Sequence, residues 1–236
     1  FFVVLVAAAV FAGVPIAFAF GLATLGYVML TTSTPVLIVV GRMDEGVSHL
    51  ILLSVPLFVF LGQLIEMTGM ARAMVAFLAS LLGHVRGGLG MSNVLACTLF
   101  GGVSGSPVAD VSAMGAVLIP QMKKEGYDVD YAVNVTTHAS LVGALMPTSH
   151  NLIIFALAAS GKVSIAALIL AGIVPAVVLT LCNLAAAYGV AVKRGYPAGS
   201  FPGWAIVWRS FLQSLPGLLV VVIIITGILS GAFTAT

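Results

Sequence analysis

Two short runs of small, hydroxyl-bearing and helix-breaking residues interrupt long apolar stretches of the chain. The runs are Gly101-Gly102-Val103-Ser104-Gly105-Ser106-Pro107 and Met146-Pro147-Thr148-Ser149-His150-Asn151. Backbone carbonyls freed by glycine and proline, together with hydroxyl and amide oxygens, are the ligands that sodium takes at discontinuous helices. We therefore predict that the two runs face each other around one sodium ion. The predicted ligands are Ser104, Gly105, Ser106, Pro147, Thr148, Ser149 and Asn151.

A simpler interpretation treats each run as an ordinary kink whose hydroxyl groups bond back to their own helix. That interpretation explains a single run well. Here two runs occur in neighbouring segments, and each contains several hydroxyl groups. The repetition favours the ion site, although both interpretations stay open at this point.

Two ionisable side chains, Asp110 and His150, lie in or beside these runs. Asp110 follows Ser106 by about one helical turn in an otherwise apolar stretch. Ionisable groups within a membrane are rare and usually functional, so Asp110 could neutralise a bound cation, hold the first run in place or carry a proton. It could also be a structural carboxyl group bonded to nearby backbone. His150 lies inside the second run and could reach a substrate, whereas a lone histidine such as His138 is more often a packing residue.

Composition places both runs inside a membrane protein. Of 236 residues, 61% are hydrophobic and 7% are charged, whereas soluble domains carry about a quarter charged residues. One span takes about 20 apolar residues, so the length suits several helical spans. The net charge of +2 includes no basic run that could hold nucleic acid. Cys97 and Cys182 lie in apolar stretches, which favours packed thiols over a disulfide or a metal site. The sequence thus predicts an all-α, multi-span protein of the lipid bilayer.

Charged loops and prolines divide the chain into five predicted parts. These are scaffold spans over 1–65, an interfacial or arm helix over 66–90, a re-entrant hairpin over 91–122 with its tip at 104–107, a discontinuous helix over 131–160, and further spans over 163–236, the last of them at about 211–230. Each half of 91–122 is too short to span a bilayer alone. A hairpin also leaves most basic residues on one side of the membrane, as the positive-inside rule expects.

Both ends of the sequence lie in or next to apolar stretches. The chain begins at Phe1 in an apolar stretch and ends at Thr236, directly after another apolar stretch. We expect it to be a fragment of a longer membrane protein.

Several segments resemble the large membrane subunit of tripartite ATP-independent periplasmic (TRAP) transporters. The segment with the most specific match runs from Gly101 through Ser104-Gly105-Ser106 to Asp110 and continues to Ile119-Pro120 and Gly126-Tyr127-Asp128. Further matches are Gly13-Val14-Pro15-Ile16-Ala17, Pro56-Leu57-Phe58-Val59-Phe60-Leu61-Gly62, Arg86-Gly87-Gly88-Leu89, Asn93-Val94-Leu95-Ala96, and the ending from Ser230 to Thr236, which is similar to the start of that family's second half. The resemblance covers essentially the whole chain.

The resemblance implies an ion transporter of the elevator type, built from two inverted repeats, in a bacterial or archaeal cytoplasmic membrane. This chain would hold the first repeat and the start of the second. Its hairpin tip and broken helix would help to form a sodium site, with sodium ions coupling the uptake of organic acids and with no other cofactor. Implied partners are a small membrane subunit and an extracytoplasmic binding protein. Met146-Pro147-Thr148-Ser149-His150 departs from the family's usual second break, so the resemblance does not assign substrate contacts.

Three other functions compete with that of a transporter. A structural membrane subunit would only support a partner. An intramembrane enzyme could in principle use Ser104 and Asp110 with His138 or His150, but the sequence has neither a Gly-x-Ser-x-Gly elbow nor a His-Glu-x-x-His motif. A channel would need a filter repeat that the sequence does not offer. The sequence therefore favours a transport subunit that is not an enzyme.

Overall fold

Helices form the regular structure of this chain, as its composition predicts. The computed structural model describes residues 2–32, 35–48, 52, 54–146, 148–159 and 164–230. Two helical stretches in these ranges, Ala167–Arg194 and Trp204–Ile224, are long and apolar enough to cross a membrane. A bent pair of helical stretches, Val59–Ile65 and Met70–Leu82, could form a third span. No strand occurs in the described ranges, where a single isolated β-bridge joins Arg86 to Ala198.

The residues divide into two compact units, 1–50 and 51–236. The first unit contains helices α1 (Phe2–Phe11), α2 (Ile16–Thr31) and α3 (Leu37–Val47). The positive φ of Gly13 and the fixed φ of Pro15 separate α1 from α2, because neither residue fits a helix interior. The predicted interruption at Gly13-Val14-Pro15 is therefore present.

The second unit contains the two runs. Its elements are α4 (Ser54–Met67), α5 (Met70–Leu82), α6 (Gly88–Ser104), α7 (Pro107–Lys124), α8 (Val129–Ser140), a 3₁₀ segment (Leu141–Leu145), α9 (His150–Ala158), α10 (Ile165–Arg194) and α11 (Trp204–Leu229). The predicted hairpin corresponds to α6 and α7. The last helix begins at Trp204 rather than near residue 211, since Gly203, with a φ of +95°, ends the preceding loop and nothing after it interrupts the helix.

Helix α6 lies at the centre of the second unit and packs against α5, α7, α8 and α10. Its buried positions include the polar side chains of Ser92 and Asn93 as well as Val94, Phe100 and Val103. In an apolar surrounding each buried polar group needs a partner. The Asn93 amide donates to Thr136 Oγ1 of α8 at 2.7 Å and lies 3.5 Å from Met122 Sδ of α7. Its oxygen accepts from Cys97 Sγ at 3.3 Å. Asn93 thus connects three helices.

Three loops meet at one end of the second unit. The Gly199 backbone N–H donates to Gly83 O at 2.9 Å, which joins the α10–α11 loop to the α5–α6 loop. The rings of Tyr127, Tyr131 and Tyr196 cluster with centroids 4.6 to 5.9 Å apart and bring in the α7–α8 loop. Helix α6 therefore starts, and α7 ends, at the same end of the unit, as in a hairpin. The depth of this hairpin in a membrane stays a prediction.

An ionic cluster fastens the same end. Arg194, the last residue of α10, donates to Asp128 Oδ2 at 2.9 Å and to Asp130 Oδ2 at 3.1 Å. The Tyr196 hydroxyl donates to Asp128 Oδ2 at 2.8 Å. The hydrogen bond from Arg194 is the largest cause that lowers the pKa of Asp130 below its ordinary value. The cluster holds the start of α8 against the end of α10.

Helix α10 runs antiparallel to α6 and extends beyond it. Ala191 lies against Gly87 at one end, and Thr180 Oγ1 lies 3.3 Å from Thr98 Oγ1 further along. At about 1.5 Å per residue, α6 is about 26 Å long and α10 about 45 Å long. A Cβ on Gly172 of α10 would lie 2.7 Å from Leu145 O. The 3₁₀ segment therefore meets α10 some two turns from the start of that helix.

Replacing Asn93 by alanine should destabilise the protein by about 1–2 kcal/mol, because the change removes the hydrogen bonds that join α6 to α8. Thermal unfolding of the purified protein in detergent measures this loss. Asn134→Ala is the matched control, since the exposed Asn134 amide bonds only to Asp130 O of its own helix. Equal melting temperatures for the two variants would contradict a role for Asn93 in joining the helices.

Replacing Arg194 by glutamine should lower the melting temperature by a few degrees at neutral pH, because exposed ion pairs stabilise only weakly. A lowered pKa means that Asp130 contributes stability above the ordinary aspartate pKa and loses it as the pH falls through the lowered value. The difference between wild type and variant should therefore shrink in acid. Arg42→Gln, which breaks the exposed pair with Glu45 on one helix, is the control. A difference that stays constant down to strong acid would argue against the ionic cluster.

Candidate functional site

The tip of the hairpin is built by local sequence signals. Helix α6 ends at Ser104, and Gly105 follows in the left-handed conformation with a φ of +60°, as glycine commonly does after a helix. Ser106 caps the start of α7, where its Oγ accepts from Ala109 N at 3.5 Å, and Pro107 takes the first helical position. Both residues favour a helix start. The predicted tip at 104–107 matches this turn.

The second run belongs to a longer break than the sequence predicts. Helix α8 ends at Ser140, and the backbone then tightens into the 3₁₀ segment before Met146 takes an extended conformation. The backbone N–H of Ser149 donates to Met146 O at 2.9 Å, and α9 begins at His150. The break thus starts five residues before Met146. The 3₁₀ segment brings Gly143 close to Gly101 of α6.

The hairpin tip lies directly against the second run. A Cβ on Gly105 would overlap Thr148 O and would lie 2.8 Å from Ser149 Cα, so only glycine fits at this position. Thr148 Oγ1 donates across the junction to Gly102 O at 3.2 Å and lies 3.4 Å from Gly101 O. Thr148 and Ser149 are fully buried. The fold therefore brings residues of the two runs together, while ion binding there stays a prediction.

The Asp110 carboxylate lies beneath the tip and is fully buried. Its Oδ1 accepts a hydrogen bond from Ser104 Oγ, and that hydroxyl oxygen in turn accepts from Ser106 N at 3.2 Å. Its position in the first turn of α7 is favourable, because a helix N-terminus attracts negative charge. The other oxygen, Oδ2, lies between Gly101 and Gly143, where a Cβ on either glycine would come within 2.7 or 2.6 Å of it.

Two oxygens at the junction lack a hydrogen-bond partner. Among the described residues, Asp110 Oδ2 and Ser149 Oγ are the buried side-chain nitrogen or oxygen atoms without one. A buried polar group left in this way costs about 1–3 kcal/mol, and more if it is charged. Such atoms are uncommon in folded proteins and call for an explanation. Ser149 is one of the predicted ion ligands, whereas for Asp110 the sequence left open whether it neutralises a cation, holds the tip, carries a proton or is only structural.

The other predicted site residues have different surroundings. Ser106 is partly buried at the tip, and Asn151 is exposed in the first turn of α9. Pro147 and the side chain of His150 lie outside the described residues. His138 is exposed, and its Nδ1 lies 2.8 Å from Asn134 O of its own helix. Its ring therefore contacts backbone rather than Ser104 or Asp110.

The sequence does not predict that Gly143, or Gly62 of helix α4, contributes to this site. Gly143 forms one wall beside Asp110 Oδ2, and Gly62 of α4 packs against the tip, where its Cβ would lie 3.4 Å from Ser104 Cα. A cavity of about 160 Å³ lies between α4 and the tip and is lined by Val59, Gly62, Gln63, Phe100, Ser104, Ser106, Ala109 and Ser112. Glycines within apolar helices signal such close approaches, but not which helices approach.

The described residues contain no group of three or more histidine, cysteine, aspartate or glutamate side chains placed to hold a metal ion. The junction offers hydroxyl, carbonyl and carboxylate oxygens instead. These oxygens are the ligand type that hard cations prefer.

Comparisons with known proteins agree with the resemblance seen in the sequence. The family model of the DctM component of tripartite ATP-independent periplasmic transporters matches residues 3–236. The chain is 32% identical over 236 residues to the C4-dicarboxylate TRAP transporter large permease protein DctM of Rhodobacter capsulatus, a match that covers 95% of the chain and 54% of the relative. It is 35% identical over 226 residues to the sialic acid TRAP transporter large permease protein SiaM of Vibrio cholerae, covering 96% of the chain and 52% of the relative.

A third relative is the ectoine/5-hydroxyectoine TRAP transporter large permease protein UehC of Ruegeria pomeroyi, which is 36% identical over 197 residues, covering 84% of the chain and 46% of the relative. The chain therefore spans about half the length of the curated relatives that it matches. These relatives are named as permease subunits and not as enzymes, which removes the intramembrane enzyme from consideration. The chain is a multi-pass protein of the bacterial inner membrane, and it belongs to the DctM family, the large membrane component of TRAP transporters.

Proposed function

We propose that this chain forms part of the membrane subunit of a secondary transporter that imports organic acids in symport with sodium. The observation that supports this function best is the pair of buried, unpartnered oxygens, Asp110 Oδ2 and Ser149 Oγ, at the junction of the hairpin tip and the second run. A cation bound at either oxygen would supply the partner that the oxygen lacks. The relatives are named for C4-dicarboxylate, sialic acid, ectoine and 2,3-diketo-L-gulonate, and organic acids are the substrate class proposed here.

The junction can supply a negative charge and several neutral oxygens to sodium. Asp110 would provide the charge, because its Oδ1 is already engaged by Ser104 and its Oδ2 is free to contact a cation. Ser149 Oγ would add a neutral ligand. Thr148 presents its hydroxyl to the carbonyls of Gly101 and Gly102, and these carbonyls lie at the end of α6, where the helix dipole attracts a cation. Ser104, Gly105, Ser106, Pro147 and Asn151 complete the predicted ligand set.

The location of these oxygens on two separate segments is what would couple the ion to transport. Ligands from the hairpin and from the break after α8 are held together only while both segments keep their positions. A cation would therefore stabilise one arrangement of the two segments over another, and a ligand shifts an equilibrium by its difference in affinity for the two states. Elevator-type alternating access, in which the hairpin and the broken helix move together, is part of this proposal. Asp110 and His150 are the residues proposed to support or contact the substrate.

The partners follow from the tripartite system for which the family is named. We propose a small membrane subunit that braces the permease and an extracytoplasmic binding protein that delivers the organic acid. A purely structural role for the chain is the competing function. It differs from the transporter in one measurable respect, because substitutions at the junction would then leave sodium-driven uptake unchanged.

Replacing Ser149 by alanine should raise the sodium concentration for half-maximal uptake at least tenfold, since the change removes one neutral ligand. The measurement is uptake of an organic acid by the complete permease with its partner subunits in proteoliposomes, under a varied sodium gradient. Ser214→Ala is the matched control, because the Ser214 hydroxyl is also fully buried but donates to Phe211 O. An unchanged sodium dependence in Ser149→Ala would argue for the structural role.

Asp110→Asn separates two roles of the carboxylate. Asparagine keeps an oxygen that can accept from Ser104 Oγ but removes the negative charge. If Asp110 neutralises sodium, this variant should lose sodium-driven uptake by about a hundredfold, as expected when a charge partner of a buried ion is removed. Uptake near the wild-type level in the same proteoliposomes would show that Asp110 only holds the tip.

Replacing Gly105 by alanine should abolish uptake, because its Cβ would displace the backbone of Thr148 and Ser149. The left-handed conformation itself adds a cost of roughly 1–2 kcal/mol for any residue with a Cβ. Gly126→Ala isolates that cost, since Gly126 has a φ of +87° with nothing within 4 Å of the position of its Cβ. Uptake retained in Gly126→Ala and lost in Gly105→Ala is the expected pattern. Retention in both would contradict the contact between tip and break.

A further inference from the structure

A buried seam of small and polar residues joins α6 to α8 and ends at the Asp110 carboxylate. On each of the two helices the seam residues recur every four positions, so they lie on one face. They are Asn93, Cys97 and Gly101 of α6, Thr136 and Ser140 of α8, and Gly143 of the 3₁₀ segment that continues α8. The seam is therefore a continuous contact that leads to the proposed ion site.

The first two pairs across the seam are polar. The Asn93 amide donates to Thr136 Oγ1 at 2.7 Å. One turn further along both helices, the Cys97 thiol and the Ser140 hydroxyl are close enough for a side-chain hydrogen bond. All four side chains are fully buried. Because the residue numbers rise together on both sides, α6 and α8 run parallel.

The third pair, Gly101 and Gly143, depends on a change of helix geometry. From Cys97 to Gly101, α6 advances four residues, which is about 6 Å at a rise of about 1.5 Å per residue. From Ser140 to Gly143 the chain advances only three residues, which is also about 6 Å at the rise of about 2.0 Å per residue of a 3₁₀ helix. A continued α-helix would instead bring Ala144 to the level of Gly101.

Only glycine fits at this level of the seam. A Cβ on Gly143 would lie 2.6 Å from Asp110 Oδ2, and a Cβ on Gly101 would lie 2.7 Å from the same oxygen. Ala144, which a continued α8 would bring opposite Gly101, carries a Cβ. The change to 3₁₀ geometry therefore leaves room for the carboxylate.

Ser140 lies at the point where the geometry changes. It is the last residue of α8, and its Oγ donates to Thr136 O of the same helix at 2.8 Å. Serine bonds of this kind often bend a helix. The backbone N–H of Leu141 then reaches His138 O, three residues back instead of four. Because the Ser140 hydroxyl also meets Cys97, the change of geometry is tied to a fixed level of α6.

We propose that Ser140 and Cys97 are positioning residues for Asp110. By fixing the start of the 3₁₀ segment against α6, they place Gly143 beside Asp110 Oδ2 and thereby set the affinity of the junction for sodium. Neither residue belongs to the proposed ligand set, so both act through the carboxylate. This inference rests on the proposed function of the junction.

Removing the Ser140 hydroxyl tests this role. In Ser140→Ala the sodium concentration for half-maximal uptake should rise at least threefold, while uptake at saturating sodium stays within twofold of wild type. The measurement is uptake of an organic acid by the complete permease with its partner subunits in proteoliposomes, with choline replacing sodium. Ser92→Ala is the matched control and should keep the wild-type sodium dependence. The Ser92 hydroxyl is also fully buried, but it bonds to Leu78 O of α5 and Gly88 O of α6.

A second measurement does not depend on transport. Sodium chloride should raise the melting temperature of the purified complete permease in detergent relative to choline chloride, because a ligand that binds the folded state stabilises it. Ser140→Ala should need at least threefold more sodium for the same rise. A lower melting temperature without sodium, combined with an unchanged sodium dependence, would show a merely structural role and would overturn the proposal.

Substitutions of Cys97 test the other side of the same contact. Cys97→Ala should raise the half-maximal sodium concentration about as much as Ser140→Ala does, whereas Cys97→Ser, which keeps a hydrogen-bonding group, should restore most of the wild-type affinity. Because the two residues act through one contact, the double variant with both alanines should be no weaker than either single variant. Effects that multiply in the double variant would contradict the proposal.

The failure of this inference differs from the failure of the proposed function. A wild-type permease whose uptake and melting temperature do not respond to sodium would overturn the proposed function and this inference with it. A normal sodium response in wild type that is unchanged in both Ser140→Ala and Cys97→Ala would overturn this inference alone.

Discussion

The burial of one carboxylate, Asp110, is the constraint to which the rest of the second unit is fitted. A charge without water is unstable unless nearby groups compensate it. Here the compensation comes from the Ser104 hydroxyl and from the N-terminus of α7. Both lie next to the carboxylate because the chain turns sharply at Gly105. The second carboxylate oxygen requires Gly101 on one side and Gly143 on the other, since any larger residue would occupy its position.

The surrounding helices keep this arrangement in register. Helix α6 is buried along most of its length, and several of its polar side chains bond to neighbouring helices. Ser92 reaches Leu78 O of α5 at 3.1 Å, and Asn93 reaches Thr136 of α8. Tyr131 of α8 donates to Ala187 O of α10 at 2.8 Å. In a membrane such bonds position helices because apolar side chains alone discriminate poorly between helix partners and lipid.

Polarity is distributed unevenly over the second unit, and the distribution has a functional meaning. The junction concentrates oxygens in a buried place, Asp130, Asn134 and His138 are exposed along α8, and Val174, Val178 and Leu181 of α10 are exposed and apolar. The proposed transport function would use the buried oxygens of the junction, whereas a purely structural subunit would need only the apolar face and packed helices. Membership of the DctM family and the unpartnered oxygens of Asp110 and Ser149 both support the proposed transport function.

The sequence by itself determined the class of protein, its family and the position of the hairpin tip. Low charge and high hydrophobicity leave no alternative to a membrane, and Gly105, Ser106 and Pro107 specify a helix end and a helix start through their own backbone preferences. The end of α8 was not predictable in this way. Leu141–Leu145 is apolar and contains no proline, yet it forms a 3₁₀ segment, since Gly143 packs against Gly101 from a distant part of the chain.

Only the tertiary structure decided which buried oxygens lack partners. Asp110 and Ser149 are 39 positions apart in sequence. Local signals act over one or two helical turns, because capping and backbone preference depend on adjacent residues. Burial and hydrogen-bond satisfaction depend instead on which helices meet, and that is fixed by contacts between residues far apart in the chain.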